Sequence, residues 1–308
     1  MRRASVSHAG WLAAILAALV LASSGCRRTD EVESTRRDVI AQLPKDGRVP
    51  EPLRLGATPT TGADTAELFS PLIAHLRGSG INAEVIVASD YDALVDLVRK
   101  GAVDMAALSP IAYVKARRSM PALAIATATR GGSPTYIGYL VVRADDPVDS
   151  IEGLRARRVA WVERSSTSGY LFARALLRST VADPERFFSS EVFVGSHGAV
   201  ITAVARGEVD VGAVASVFVD PGLPERHPDA ERLKVLAKTS RIPLDCIVVH
   251  RAVSRDFAEK IRDALLALSE SHAAAAALGQ TWGVTGFVPA NDERYDSVAD
   301  VLTRDRAP

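Results

Sequence analysis

The sequence contains little cysteine and no excess of either sign of charge. Cys26 and Cys246 are the only cysteines among 308 residues, so the chain does not rely on a disulfide framework. The 37 basic and 37 acidic residues balance, which argues against nucleic acid as a partner. A site for an anion would therefore have to be local and built from amides and hydroxyls.

Motifs typical of enzymes and cofactor sites are also missing. No serine lies in a Gly-x-Ser-x-Gly elbow, no cluster of Cys, His and Asp has metal-ligand spacing, and no Gly-rich nucleotide loop is present. Ser166 or Ser168 could pair with His197 for nucleophilic chemistry, but neither serine has the elbow around it. We expect a protein that is not an enzyme and that needs no cofactor or metal.

The apolar run Trp11–Ala22 is too short to span a bilayer comfortably. Because two arginines precede it, it predicts an export signal over residues 1–25. The Ser-Ser-Gly-Cys sequence that follows resembles a bacterial lipoprotein processing site, in which the cysteine becomes the acylated first residue. Ser23 departs from that pattern, which usually has Leu there. We expect a lipid anchor at Cys26; a plainly secreted protein is the alternative.

If Cys26 is acylated, Cys246 has no partner and the exported body has no internal disulfide. Cys246 lies in the apolar run Cys-Ile-Val-Val, which predicts a small buried hydrophobe rather than a reactive thiol. Residues 26–52 are charged and contain proline, with little apolar pattern. This composition predicts a flexible tether, with the folded body beginning near Leu53.

From Leu53 onward, strand-like and helix-like segments alternate. This order predicts an α/β protein with mostly parallel sheets and helices on their faces. The length predicts about two domains. The predicted segments are strands Leu53–Thr58, Ala83–Ala88 and Val103–Leu108, and helices Glu67–Leu76 and Tyr91–Lys100.

The same order of segments recurs 106 residues further on, where Gly207–Asp210 resembles Gly101–Asp104. Because one ungapped offset relates strands, polar loops and helices, we expect two similar α/β lobes. A shared architecture without common ancestry is the alternative. The same offset also pairs Leu55 with Trp161, Thr60–Gly62 with Ser166–Ser168, and Tyr91 with His197.

Two strand-like runs with a proline nearby, Thr135–Arg143 and Arg241–His250, predict the crossover strands of a two-strand hinge. Lobe 1 is then residues 53–140 together with 241–308, and lobe 2 is residues 141–240. Ala- and Leu-rich helices over 252–278 are expected to pack back on lobe 1, with a further surface helix over 292–306.

The segment Trp161–Ser179 contains more hydroxyls than one helix cap requires. A β-prone run is followed by the polar residues Ser165–Gly169 and then by apolar residues at helical spacing. The surplus hydroxyls, the free amides and the positive end of the helix dipole would suit a small oxyanion. A polar turn with one capping serine is the alternative.

Other polar side chains are expected near the carboxyl ends of the strands, where ligands of such folds bind. Each has an ordinary structural alternative: a surface histidine, a half-buried aromatic or a helix cap. Asp104 and Asp210 lie between apolar residues and are predicted to be structural, and Arg130 is expected in a solvated turn. The candidates for a ligand site are Ser166, Thr167, Ser168, His197, Tyr91, Tyr136, Thr60 and Thr61.

With these residues, the chain resembles the substrate-binding proteins of phosphonate, phosphite and phosphate ABC transporters, which are two-lobed periplasmic binding proteins of type II. The matching stretches are Ser89–Tyr91, Gly132–Tyr136, Ser166–Gly169, Gly195–His197 and Gly286–Ala290. In that family the Ser-Thr-Ser-Gly loop and the following histidine hold the phosphoryl oxygens, and two tyrosines line the rest of the pocket. The resemblance implies these roles for Ser166, Thr167, Ser168, His197, Tyr91 and Tyr136.

The chain departs in two places from members that bind aminoalkylphosphonates. Ala107-Leu108 replaces an aromatic Trp-Tyr pair, and Val217 stands near the position of a carboxylate that meets the amine of the ligand. An ammonium-bearing ligand would lose its counter-charge here. The resemblance therefore implies a compact ligand such as phosphate, phosphite or methylphosphonate.

The resemblance further implies a monomeric lipoprotein, anchored to a membrane in the periplasm or at the cell surface. It would capture the phosphorus oxyanion and deliver it to an ABC transporter permease. Closure of the two lobes on the hinge would complete the site from both sides. The alternative is a sensory lipoprotein that binds a similar oxyanion and signals to a membrane partner.

Overall fold

The computed structural model describes residues 39–58, 65–223 and 226–305. The predicted export signal, Cys26, Thr60 and Thr61 lie outside the described residues, so their roles stay predictions. Within these ranges, no helix is long and apolar enough to cross a membrane.

Strands and helices alternate along the chain, as the hydrophobic periodicity predicted. The first stretch holds β1 (Leu53–Ala57), α1 (Thr65–Gly78), β2 (Ala83–Val87), α2 (Tyr91–Arg99), β3 (Met105–Leu108), α3 (Pro110–Ala116) and β4 (Ala122–Thr129). The second holds β5 (Thr135–Arg143), β6 (Arg158–Trp161), α4 (Phe172–Thr180), β7 (Ser190–Phe193), α5 (His197–Ala205), β8 (Val211–Ala215) and β9 (Leu233–Pro243). The last holds β10 (Cys246–His250), α6 (Arg255–Ala267), α7 (His272–Thr281), β11 (Gly286–Pro289) and α8 (Asp296–Asp305).

The strands form two sheets, one with the order β11-β4-β10-β3-β1-β2 and one with the order β7-β6-β8-β5-β9. We call the parts built on the six-stranded and five-stranded sheets lobe 1 and lobe 2. The α/β fold with two similar lobes is confirmed. Each sheet is mixed rather than mostly parallel, because the strands next to the crossings between lobes run against their neighbours.

The chain crosses between the lobes twice, at residues 130–134 and at residues 244–245. The two crossings are joined, since the N–H of Leu244 donates to the carbonyl of Pro134 at 2.8 Å. The strand predicted over Arg241–His250 is broken at the second crossing. The predicted lobe boundaries at residues 140 and 240 fall inside β5 and β9, and that division stays a prediction.

Each lobe contains the same strand–helix–strand unit, but the sequence offset between the units is not uniform. Ala57 pairs with Val87 in lobe 1, and Trp161 pairs with Phe193 in lobe 2. Val87 and Phe193 are 106 residues apart, whereas Ala57 and Trp161 are 104 residues apart. The match of Leu55 with Trp161 was therefore wrong, because lobe 2 has two more residues between its first two parallel strands.

An arginine–aspartate pair occupies the same place in each unit. Asp104 is fully buried and accepts hydrogen bonds from Nε and the backbone N–H of Arg54, at 2.8 and 3.1 Å. Asp210 accepts the equivalent bonds from Arg158, at 3.1 and 2.9 Å. Both aspartates thus tie the start of one strand to the start of its neighbour, which is the structural role predicted for them.

Residues 39–52 belong to the folded body and not to the tether. Ile40 and Leu43 are buried in the core of lobe 1. The backbone N–H of Arg48 donates to the carbonyl of Ala252 at 2.8 Å, and its guanidinium pairs with Asp104 at 2.8 Å. The predicted start of the body near Leu53 was too late, because the apolar residues Val39, Ile40 and Leu43 are too few in this charged segment to establish a periodic pattern.

The C-terminal helix α8 lies against both lobes rather than on the surface of one. Its Val298 is fully buried in a small apolar cluster with Ile111 of lobe 1 and Phe172 of lobe 2. Cys246 on β10 is fully buried as predicted, and burial raises the pKa of its thiol.

The paired aspartates provide a matched test of burial. Asp104→Ala should lower the free energy of unfolding by about 2–4 kcal/mol, because it leaves guanidinium groups without their buried partner. Asp210→Ala should cost about 1 kcal/mol or less, since both members of its pair are more exposed. Urea titration of the two variants checks this order, and equal losses would contradict it.

Candidate functional site

The hydroxyl-rich segment after β6 begins a helix, but not with an ordinary first turn. Ser166 is the N-cap, and its Oγ accepts from the N–H of Gly169 at 3.1 Å. Thr167–Leu171 then forms a π-helical turn before α4. A Cβ at Gly169 would lie 2.3 Å from Cγ2 of Val162 and 2.9 Å from Oγ of Ser166, so only glycine fits this position.

Three hydroxyls of this turn accept hydrogen bonds from the protein itself. Besides Ser166, Oγ1 of Thr167 accepts from the N–H of Ile111 at 3.1 Å, and Oγ of Ser168 accepts from the hydroxyl of Tyr136 at 3.2 Å. All three side chains are 2% exposed. Since a hydroxyl carries a single proton, each keeps its O–H to donate to a further acceptor. The turn is therefore a cluster of buried donors suited to an oxyanion.

His197 adds a donor of the same kind. Its Nδ1 accepts from the N–H of Ala215 at 3.2 Å, so the proton of the neutral ring is on Nε2. The ring stacks on Phe218 with centroids 4.8 Å apart. Burial lowers the pKa of His197 to about 4. Near neutral pH this histidine is an uncharged N–H donor, and it contributes no formal positive charge.

Two tyrosines to which the resemblance assigns a ligand role are Tyr136 and Tyr91, and the charges of their hydroxyls act on each other. Tyr136, near the start of β5, reaches Ser168 as described above. Tyr91 is the first residue of α2, after the capping Asp90, and His197 takes the same place in α5 after Ser196. Burial raises the pKa of Tyr91 and of Tyr136, so both hydroxyls stay protonated.

One ionisable residue of this region, Asp245, was not predicted from the sequence. It lies at the second crossing between the lobes, and its charge acts on both Tyr91 and Tyr136. Burial raises the pKa of Asp245 to about 7, and the charge of Arg130 opposes that rise. A polar residue at a predicted hinge, between the apolar runs Ile-Pro-Leu and Cys-Ile-Val, was the available signal.

Arg130 is only partly in solvent, contrary to the expectation of a solvated turn. Its Nε donates to the carbonyl of Gly283 at 2.6 Å, which fixes the guanidinium beside the crossing. The position near Val217 is apolar, as the sequence indicated: Val217 is 5% exposed, and the nearest acid in sequence, Asp220, accepts from the hydroxyl of Tyr139 at 2.9 Å. Among the described residues, no group of three or more His, Cys, Asp or Glu could hold a metal ion.

The neutral state of His197 has a consequence for stability. A histidine with a pKa of about 4 in the folded protein and about 6.5 when unfolded binds a proton more readily after unfolding. Its contribution to stability is complete above pH 6.5 and is lost as pH falls toward 4, up to about 3 kcal/mol.

We therefore expect His197→Asn to lose less stability than the wild type between pH 6.5 and 4.5. Asparagine keeps a side-chain acceptor for the N–H of Ala215 but does not titrate. Thermal melts of both proteins across this range check the prediction, and parallel pH profiles would contradict it.

The architecture described here, two mixed α/β lobes joined by two crossings, is that of the type II periplasmic binding proteins. A family model for the periplasmic substrate-binding protein of phosphonate ABC transporters matches residues 55–295. The chain belongs to this family. It is thus an extracytoplasmic solute-binding protein of an ABC transporter and not an enzyme.

Individual relatives agree with this assignment. The chain is 28% identical over 316 residues to the phosphate-import protein PhnD of Mycolicibacterium smegmatis, covering 94% of each chain. It is 27% identical over 189 residues to the phosphonates-binding periplasmic protein of Escherichia coli, covering 60% of this chain and 56% of the other. The fold matches PhnD1 of Prochlorococcus marinus, solved in complex with methylphosphonate, with a TM-score of 0.70 and 21% identity over 82% of this chain and 97% of the other.

Proposed function

We propose that the protein captures a small phosphorus oxyanion, namely phosphate, phosphite or a small phosphonate, and delivers it to the permease of its transporter. The observation that carries the proposal is the cluster of four donors whose accepting atoms are already occupied. Ser166, Thr167, Ser168 and His197 each use a lone pair on a protein N–H or O–H and keep a proton to donate. Four retained protons suit the cluster to an acceptor with several oxygens.

The size and charge of the proposed ligand follow from the remaining side chains. The buried side chains Val217 and Phe218 follow β8, and Phe218 stacks on His197, so the surroundings of the histidine on this side are apolar. Tyr91 and Tyr136 contribute protonated hydroxyls and ring surface. A compact ligand fits these properties better than one that carries an extended ammonium group.

We propose that the ionisation of the Asp245 carboxyl controls how tightly the ligand binds. A carboxyl with a pKa of about 7 is largely neutral below that pH and can then donate a hydrogen bond to a phosphoryl oxygen. Above that pH it becomes an anion facing the ligand. We expect this single group to make affinity depend on pH in the physiological range.

Names of relatives support the same class of ligand. One relative is called a phosphate-import protein, another a phosphonates-binding protein, and the matched structure contains methylphosphonate. Ligand binding would favour the closed arrangement of the lobes by as much as the ligand binds that arrangement more tightly than the open one. The roles of Thr60 and Thr61, the lipid anchor at Cys26, the monomeric state and the sensory alternative stay predictions from the sequence.

The donor cluster is tested by removing its hydroxyls one at a time. Thr167→Ala and Ser168→Ala should each weaken phosphate, phosphite or methylphosphonate binding by about one to two decades, because each lost bond to a charged ligand costs about 1.5–3 kcal/mol. Isothermal titration calorimetry measures the loss for whichever of the three binds most tightly.

Ser254→Ala is the matched control for this test. Ser254 is also a buried serine, 4% exposed, and it caps α6 in lobe 1 far along the chain from the loop. Its loss should lower stability by about 1 kcal/mol and leave affinity unchanged. If Thr167→Ala and Ser168→Ala behave like this control, the loop is a helix cap and the proposed site is wrong.

Asp245 is tested by the pH dependence of binding. Wild-type affinity for methylphosphonate should fall as pH rises through about 7, because the carboxyl ionises and repels the ligand. Asp245→Asn should lose this component, while titration of the ligand itself affects both proteins equally. A wild-type preference for 2-aminoethylphosphonate that grows above pH 7 would show instead that Asp245 is the counter-charge of an amine.

A further inference from the structure

Ser165 differs from the three hydroxyls that follow it because its proton is already used. It is 5% exposed, accepts from Nζ of Lys115 at 3.0 Å, and donates to Oδ1 of Asp92 at 3.3 Å. A serine hydroxyl with its only proton on a carboxylate cannot donate to an anion. Ser165 therefore does not belong to the proposed donor cluster, although it is adjacent to it in sequence.

Both partners of Ser165 come from the other lobe. Asp92 lies in the first turn of α2 and Lys115 in the last turn of α3, both in lobe 1, whereas Ser165 precedes the turn of lobe 2. The hydrogen bond from the N–H of Ile111 in lobe 1 to Oγ1 of Thr167 in lobe 2 also joins the two lobes. These hydrogen bonds exist only while the lobes are together, and separation of the lobes breaks them.

Several acidic side chains lie around the contact between Ser165, Lys115 and Asp92, and Lys115 is the positive charge among them. Glu163, two residues before Ser165, is half-buried; burial raises its pKa, the charges of Asp90 and Asp92 raise it further, and the charge of Lys115 lowers it. Closing the lobes brings this acid of lobe 2 toward two acids of lobe 1, which is unfavourable by itself. Lys115 places a positive charge among the three carboxylates and offsets their repulsion.

We propose that Ser165, Lys115 and Asp92 form a closure latch that holds the two lobes together and sets how long the ligand is retained, without touching the ligand. We use the name latch for these three residues only. The proposal rests on the proposed function for the ligand that is retained. The bonds themselves join one lobe to the other whatever the ligand is.

The first measurement is the distance between the lobes in the full-length protein. Spin labels at Val87→Cys and Val192→Cys, in a Cys26→Ser background, would report on exposed residues of the outer strands of the two sheets. Cys246 is fully buried and should not label. Adding Ser165→Ala should shift the distance distribution toward longer values, both without ligand and with saturating phosphate.

The second measurement separates release from capture. Ser165→Ala should raise the dissociation rate of phosphate or methylphosphonate about threefold to tenfold, as expected for losing weak bonds to partly exposed groups. The association rate should change less than the dissociation rate, because the ligand enters while the lobes are apart and the latch bonds are not formed. Ser254→Ala, the buried cap within lobe 1, should alter neither rate nor the distance distribution.

Variants of the two partners give a graded series on exposed positions that do not threaten folding. Lys115→Met should speed release, and Lys115→Glu should speed it further because it adds a fourth carboxylate. Raising the salt concentration should recover part of the Lys115→Glu loss, since it shortens the Debye length. Asp92→Asn keeps an acceptor for Ser165 and should retain slow release, whereas Asp92→Ala should not.

The outcomes separate the latch from the proposed function. If no phosphorus oxyanion binds the wild type, the proposed function fails, and the label distances still test the latch. If Ser165→Ala and Lys115→Glu leave the distances and release unchanged, the latch is wrong while the donor cluster stands. If Ser165→Ala weakens binding as much as Thr167→Ala without changing the distances, Ser165 contacts the ligand and the latch is also wrong.

Discussion

The proposed ligand is an oxyanion, which has to be met by hydrogen-bond donors when it is held away from water, and the donors of the proposed site carry no formal charge. In the structure, each of these groups already accepts a hydrogen bond from the protein. An N–H or O–H from elsewhere in the protein occupies one lone pair on each hydroxyl of Ser166, Thr167 and Ser168, and an amide does the same at Nδ1 of His197. Each group then keeps its proton to donate to a further acceptor.

This arrangement determines which parts of the fold have to meet. The partner of Thr167 is an amide of α3 in lobe 1, and the partner of Ser168 is a tyrosine near the first crossing between the lobes. The donor cluster is therefore complete only when both lobes and the crossings are in place. If the ligand binds at the proposed site, binding and closure are coupled, since a contact that orients a donor is also a contact between the lobes.

The internal repeat shows how one architecture supports two different roles. Tyr91 and His197 occupy equivalent first positions of α2 and α5, and each follows a capping side chain. One contributes a phenol and the other a neutral imidazole to the same region. The arginine–aspartate pairs repeat as well, but they tie strands together at the opposite ends of the sheets and take no part in the proposed site.

The sequence by itself determined the local features: the alternation of strands and helices, the two similar units, the hydroxyl-rich turn and the family. These follow from periodicity and from short motifs, which depend on neighbours in the chain. Only the tertiary structure decided that residues 39–52 join the core, that Ser165 bonds to Lys115 and Asp92, and that the charge of Asp245 acts on Tyr91 and Tyr136. Those facts depend on which surfaces meet across the two crossings of the chain, and no local pattern encodes them. Burial against distant residues then changes the pKa of each ionisable group.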